Sequence, residues 1–291
     1  MTLSAVLDRL DDRLNPIVVK ELRQAVQSRM VVGILLLFLG LQTFLLGFFL
    51  MTRDARASAS GAIDWTAGVD AFRIQQVILL WTTMILVPAY AAIRLGGERA
   101  DHNVDLMFIS TLRPKSIVWG KFFANVVFGL LIFSACAPFM AFTYLLRGID
   151  MATILVVFGI DLLCMLFGVM LALLLAALPG NRGFKAFLFF VGFVNLVWIC
   201  SLMTGMTLMI PGTDFLNMPW EALAAAAVTV AAVLASIGLM AFYAIAIISP
   251  PASNRVLPLR VYLFATWLGL SVGGRPAGAW KGPRKWRCPP T

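Results

Sequence analysis

The chain has 291 residues, 61% of them hydrophobic and only 13% charged, with a mean hydropathy of +0.92. Soluble domains sit near about 45–50% apolar and about 25% charged, which excludes a water-soluble globular fold. In a chain this apolar, the net charge of +9 belongs to loops on the cytoplasmic side of a membrane rather than to nucleic-acid binding.

The first segment, 1–29, reads as cytoplasmic and interfacial. Leu3, Leu7, Leu10 and Leu14 recur at helical spacing with Asp8, Arg9, Asp11 and Asp12 between them. Asn15-Pro16 then restarts the chain, since Asn caps a helix and Pro suits its first position. Beyond it Val18, Val19, Leu22, Ala25 and Val26 fall on one side, and Lys20, Glu21, Arg23, Gln24 and Gln27 on the other. Such a helix is expected to lie along the membrane surface with Lys20, Glu21 and Arg23 in water.

Six apolar runs of the length a bilayer requires follow, at about 30–51, 74–95, 117–146, 153–178, 187–210 and 220–248. They predict an all-α polytopic membrane protein whose membrane-spanning body covers 30–249. In span 1, Gly33, Gly40 and Gly47 form a small-residue stripe of the kind that admits a second helix. The segment 52–73 reads as a polar loop, with Trp65 and Trp81 suited to a membrane interface. Pro88 in span 2 and Pro138 in span 3 each remove a backbone donor and predict kinks. Arg94 is placed to snorkel. Tight turns are expected at 147–150 and 179–183, and the alanine-rich start of span 6, 222–228, suits close helix packing. Gln42, Thr43 and Asn195 are expected to form interhelical hydrogen bonds, worth roughly 0.6 kcal/mol each.

Lys and Arg in the short loops set the orientation. The N-terminal segment, the 97–121 stretch and the loop after span 4 carry the excess, which places the N-terminus in the cytoplasm of an inner (plasma) membrane. A seventh apolar run, 257–272, is short and contains Arg260. The basic tail beyond it would be exported if that run crossed, so 250–291 is expected to be a surface segment with a disordered or truncated tail.

Few residues carry chemistry. No phosphate-binding GxxxxGK[ST] motif occurs, because Gly120-Lys121 is followed by Phe122. ATP hydrolysis by this chain is therefore not expected, nor is any other enzymatic activity, since HExxH, GxSxG and Cys/His metal spacings are also missing from the sequence. The four cysteines, Cys136, Cys164, Cys200 and Cys288, form no CxxC pair and read as small apolar residues. His102 reads as solvated. Asp161 is the ionisable residue singled out within a span, either part of a proton or cation pathway or the holder of a structural hydrogen bond. Two to three turns from the end of span 4, it is placed to reach headgroup water.

The stretch 97–121 is the longest charged interruption between two apolar runs. Asp101 and Asp105 near a helix start and Arg113 near its end complement the helix dipole, and Pro114 stops it. Val104, Met107, Phe108 and Leu112 form one apolar face, suited to a partner or to lipid.

Two stretches together resemble the ABC-2 family of ABC exporter permeases: NPIVVKELRQAVQSRM before span 1 and ERADHNVDLMFISTLRPKSIVWGK from Glu98. In the second, Glu98-Arg99, Asp105, Leu106, Ser110, Ile117 and Gly120-Lys121 match the family pattern, while His102-Asn103 stands for its Gly-Thr pair and Thr111 for its proline. The resemblance implies a permease subunit coupling ATP hydrolysis elsewhere to export of a substrate. A separate ABC ATPase subunit would carry the ATP and magnesium, with no cofactor on this chain, and the permease would form a homodimer or heterodimer. The docking and coupling segment would use Glu98, Arg99, Asp101, Asp105, Met107, Phe108, Leu112, Arg113 and Lys121. A re-entrant element would turn near 209–213. The few polar residues in the spans suggest a hydrophobic or amphipathic cargo. The competing expectations are a secondary transporter or a membrane scaffold without transport.

Overall fold

In hydrocarbon every backbone amide must find its partner within the chain, so an apolar run of about 20 residues closes its hydrogen bonds as a helix. The computed structural model describes residues 23, 27–60, 67–100, 114–146, 149–209, 219–249 and 256–273, and among these it is helical with no strand. The elements are α1 (Arg29–Ser60), α2 (Ala67–Trp81), a π-helical turn (Thr82–Leu86), α3 (Val87–Ala100), α4 (Pro114–Leu145), α5 (Met151–Ala177), α6 (Arg182–Met209), α7 (Trp220–Ile248) and α8 (Leu257–Gly273). Six helices are long and apolar enough to cross a membrane; α2, the π turn and α3 act as one span from Ala67 to Gly96. The chain is an all-α, multi-pass membrane protein.

Helix α5 is the hub. It packs against α3, α4, α6, α7 and the π turn, while α1 packs on α2 and α4. Its buried residues include Ile154, Val157, Asp161, Met165 and Gly168, a three- and four-residue spacing that marks one face of a helix. Against that face lie Phe72 and Leu79 of α2, Tyr90 of α3, and Phe128 and Ile132 of α4. Tyr90 and Phe128 meet edge to face with ring centroids 5.2 Å apart. Lipid tails are as apolar as these side chains, so fit rather than exclusion from water holds the bundle. Glycines set the closest approaches. A Cβ at Gly168 would stand 3.1 Å from Pro88 Cγ, and one at Gly192 would collide with Leu175.

Pro88 explains the π turn. Its missing N–H cannot bond the carbonyl of Met84, and the wider turn absorbs the mismatch immediately before the ring. Within it, the Thr83 hydroxyl donates to the carbonyls of Leu79 (2.9 Å) and Leu80 (3.2 Å). Pro138, by contrast, lies inside a helix that continues through it to Leu145.

The polar loop expected over 52–73 is mostly helix. Helix α1 continues to Ser60 and α2 starts at Ala67, because Asp70 gathers the charges that made this stretch read as a loop. It pairs with Arg53 and, at 3.4 Å, with Arg73, while Arg53 also stacks over Phe49 at 5.0 Å. Gly33, Gly40 and Gly47 face no described part of the chain, since a Cβ at any of them meets nothing within 4 Å. The alanine-rich start of α7 is likewise exposed, not packed against a neighbour.

The seventh apolar run is helix α8, about 25 Å long at 1.5 Å per residue and shorter than the six spans. It packs on α7 through Tyr262, whose hydroxyl donates to the Ala235 carbonyl at 2.9 Å. The Tyr262 ring sits 4.8 Å from that of Phe242 and over Gly238.

Candidate functional site: a buried carboxylate between the spans

Asp161 lies on the inward face of α5 and is fully buried. It does not reach headgroup water, as its distance from the helix end had suggested, because its register on α5 turns it toward the other spans. Gln76 of α2 donates its carboxamide N–H to Asp161 Oδ2. No ion-pair partner for Asp161 occurs among the described residues.

Two further polar side-chain contacts join spans of the bundle. Gln42 of α1 donates to Cys136 Sγ of α4 at 3.1 Å. Trp81 of α2, half-buried, donates its indole N–H to Thr204 Oγ1 of α6 at 3.2 Å. Several buried atoms have no hydrogen-bond partner among the described residues: Asp161 Oδ1, Gln76 Oε1, Gln42 Oε1 and both terminal atoms of Gln75. Leaving such a group unpaired costs about 1–3 kcal/mol. Of these, Asp161 Oδ1 and Gln76 Oε1 belong to the two partners of one hydrogen bond and leave acceptor capacity there for a proton, a small cation or water. No cluster of metal-ligating side chains occurs among the described residues.

Sequence reading found Asp161 and Gln42 but not Gln75 and Gln76. Their signal is two adjacent carboxamides inside the apolar run that leads to Trp81. Of the other expected interhelical donors, Thr43 bonds its own helix at the Leu39 carbonyl (2.8 Å), and Asn195 is exposed on α6.

The charged stretch before α4 is described only at its ends. Asp101, Asp105, Met107, Phe108, Leu112 and Arg113 lie outside the described residues, as do Lys20, Glu21 and the expected turn at 210–213. Glu98 and Arg99 belong to the last turn of α3, and Arg23 is exposed. Pro114 takes the first position of α4, where its missing donor costs nothing. Lys121, expected on the docking side, is buried at 4% exposure. It lines a small apolar recess with Leu95, Leu173, Ala177, Ala244 and Ile248, and Asn125 donates to its backbone carbonyl at 2.7 Å. Arg94 donates to the Tyr90 hydroxyl at 2.9 Å and stacks over that ring.

The chain matches no protein-family model, no curated protein and no solved structure.

Proposed function

We propose that this chain is the membrane-spanning subunit of an ABC-2 type, ATP-driven exporter in a plasma membrane, with its N-terminus in the cytoplasm. A separate ATPase subunit docks beneath the 97–121 stretch, binds the nucleotide and magnesium, and drives export of a hydrophobic or amphipathic cargo. The observation that carries this reading is the charged stretch from Glu98 to Lys121, joining two helices that both pack on the hub α5. A push on that stretch would reach the centre of the bundle through α3 and α4 together. The test is co-purification from native membranes followed by reconstitution in lipid. The expected result is a stoichiometric ATPase with a phosphate loop, whose recruitment is lost on Glu98→Lys. Purification of an active transporter without any ATPase would overturn it.

The buried Asp161 favours one second reading, a carrier coupled to a proton or cation. Uptake or efflux in ATP-free vesicles driven by an imposed ion gradient, and abolished by Asp161→Asn, would select it over the first.

A further inference from the structure

Asp161 Oδ1 and Gln76 Oε1 are both buried without a hydrogen-bond partner among the described residues, yet they belong to two side chains already joined by the Gln76 N–H to Asp161 Oδ2 bond. Both atoms are acceptors, so neither can satisfy the other. One proton changes that. Placed on Oδ1, it makes the carboxyl a donor to Gln76 Oε1, while the Gln76 N–H keeps its bond to Oδ2. Acid and amide then close a cyclic pair with two hydrogen bonds. The same proton removes the charge from a side chain that is fully buried and has no ion-pair partner among the described residues. A metal cation fits less well. Calcium takes about 6–8 oxygens and magnesium about 6, against the two unpaired oxygens of this pair. Helices α2 and α5 run unbroken through Gln76 and Asp161, so no unwound backbone supplies the missing carbonyls at either residue.

The surroundings differ toward the two ends of the bundle. Asp161 lies about 15 Å from the Met151 end of α5 and about 24 Å from Ala177, at 1.5 Å per residue. Toward Ala177, every buried residue of α5 from Met165 onward is apolar. Toward the other end, α2 continues the polar groups. Gln75 is buried with both amide atoms unpaired, and Arg73 has a buried, unpartnered Nε although its side chain is 40% exposed. Arg73 therefore reaches from the interior to water, where it pairs with Asp70. On the other faces packed against α5, Tyr90 of α3 bonds Arg94, Cys136 of α4 bonds Gln42, and Lys121 of α4 lies in the recess beside Ala177. Cys164 of α5 and Cys200 of α6 are free thiols. The buried residues of α7 and of the π turn include no titratable side chain.

We infer that Asp161 is a proton-binding site, filled and emptied from the Met151 end of the bundle, with Gln76 as its positioning residue. Binding forms one O–H bond at Oδ1 with a proton from water at that end and breaks no bond in the chain. The site stands apart from the exporter reading; in the carrier reading, the proton is the coupling ion.

The test is infrared spectroscopy of the full-length chain in lipid bilayers, with carbon-13 aspartate labelling, over about pH 5–9, where carboxyls in water are ionised. An aspartic acid C=O band that fades as the pH rises is expected, and Asp161→Asn should lack it. Gln76→Leu, which keeps the carboxyl, should shift the band to higher frequency, so the assignment does not depend on Asp161→Asn folding. After a pH jump the band should respond several-fold more slowly in Arg73→Leu, and at the wild-type rate in Lys185→Leu, at the α6 end that follows Ala177. No such band, a band indifferent to pH, its survival in folded Asp161→Asn, or its loss on adding sodium or potassium salt at constant pH would overturn the inference. An unchanged rate in Arg73→Leu would overturn the entry from the Met151 end. Transport driven by a proton gradient is scored separately: a titrating band without transport keeps the site and removes the carrier reading.

Discussion

Gln76 on α2 hydrogen-bonds the fully buried carboxylate of Asp161 on α5, tying together residues 85 apart in sequence. The bond joins the span after the first loop to the hub helix, and one oxygen on each partner has no hydrogen bond among the described residues.

The coupling between these two residues is expected to exceed the ordinary value for a hydrogen bond in lipid. That average is only about 0.6 kcal/mol, because the unfolded reference finds other partners. In the folded bundle, however, Asp161 is sealed, and removing its donor leaves the carboxylate stranded. Gln76→Leu should therefore destabilise by about 2–3 kcal/mol, and Asp161→Asn, which keeps an acceptor, by less. A double-mutant cycle with Gln76→Leu and Asp161→Leu, read from thermal melts in lipid nanodiscs, should give a coupling of about 1 kcal/mol or more. Strict additivity would show that the bond contributes nothing.

A second prediction concerns Gly168 and Pro88. The 3.1 Å separation between a Cβ at Gly168 and Pro88 Cγ is tighter than ordinary contact. Gly168→Leu should therefore force the hub away from α3 and cost about 1–3 kcal/mol. Gly168→Ala should be milder, and Pro88→Ala in the same chain should relieve it by removing the opposing ring. Equal melting of Gly168→Ala with and without Pro88→Ala would show that the ring is not the obstacle.

Helix α8 should detach without unfolding the rest. Gly238→Val places a side chain where the Tyr262 ring now sits, ejecting it and its bond to Ala235. Hydrogen exchange over α8 is expected to rise at least about tenfold while α5 stays protected. Tyr262→Phe, which deletes only the hydroxyl, should give about fivefold. Unchanged exchange in both variants would mean that Tyr262 does not anchor α8.

Four exposed positions test the crossing pattern. Lys115→Cys and Asn181→Cys should react with an impermeant thiol reagent from one side of the membrane, and Asp150→Cys and Pro219→Cys from the other. The basic-residue bias assigns the first pair to the cytoplasm. Labelling of all four from one side would rule out alternating crossings.

The number and approximate places of the spans were legible because hydropathy along the chain is a local quantity, whereas the helical extensions over 52–73 were not. A bilayer demands about 20 apolar residues per crossing, and no partner helix changes that count; the six runs read from sequence overlap the six spans of the fold. Residue chemistry also singled out Asp161, since a carboxylate within an apolar run stands out wherever it points. Which face meets which was decided only by the tertiary structure. A helix apolar on all sides carries little contrast between its inner and outer surfaces, so neither Lys121 in its recess nor Gln75 and Gln76 beside the hub could be placed from the sequence. For the same reason the glycines of α1 and the alanines of α7 misled: small residues permit a close approach but do not specify one, and the approach went instead to Gly129, Gly168, Gly192 and Gly238. Asn195 shows the limit most clearly. Its identity foretold an interhelical hydrogen bond, and only the packing of α6 revealed that Asn195 is exposed and makes none among the described residues.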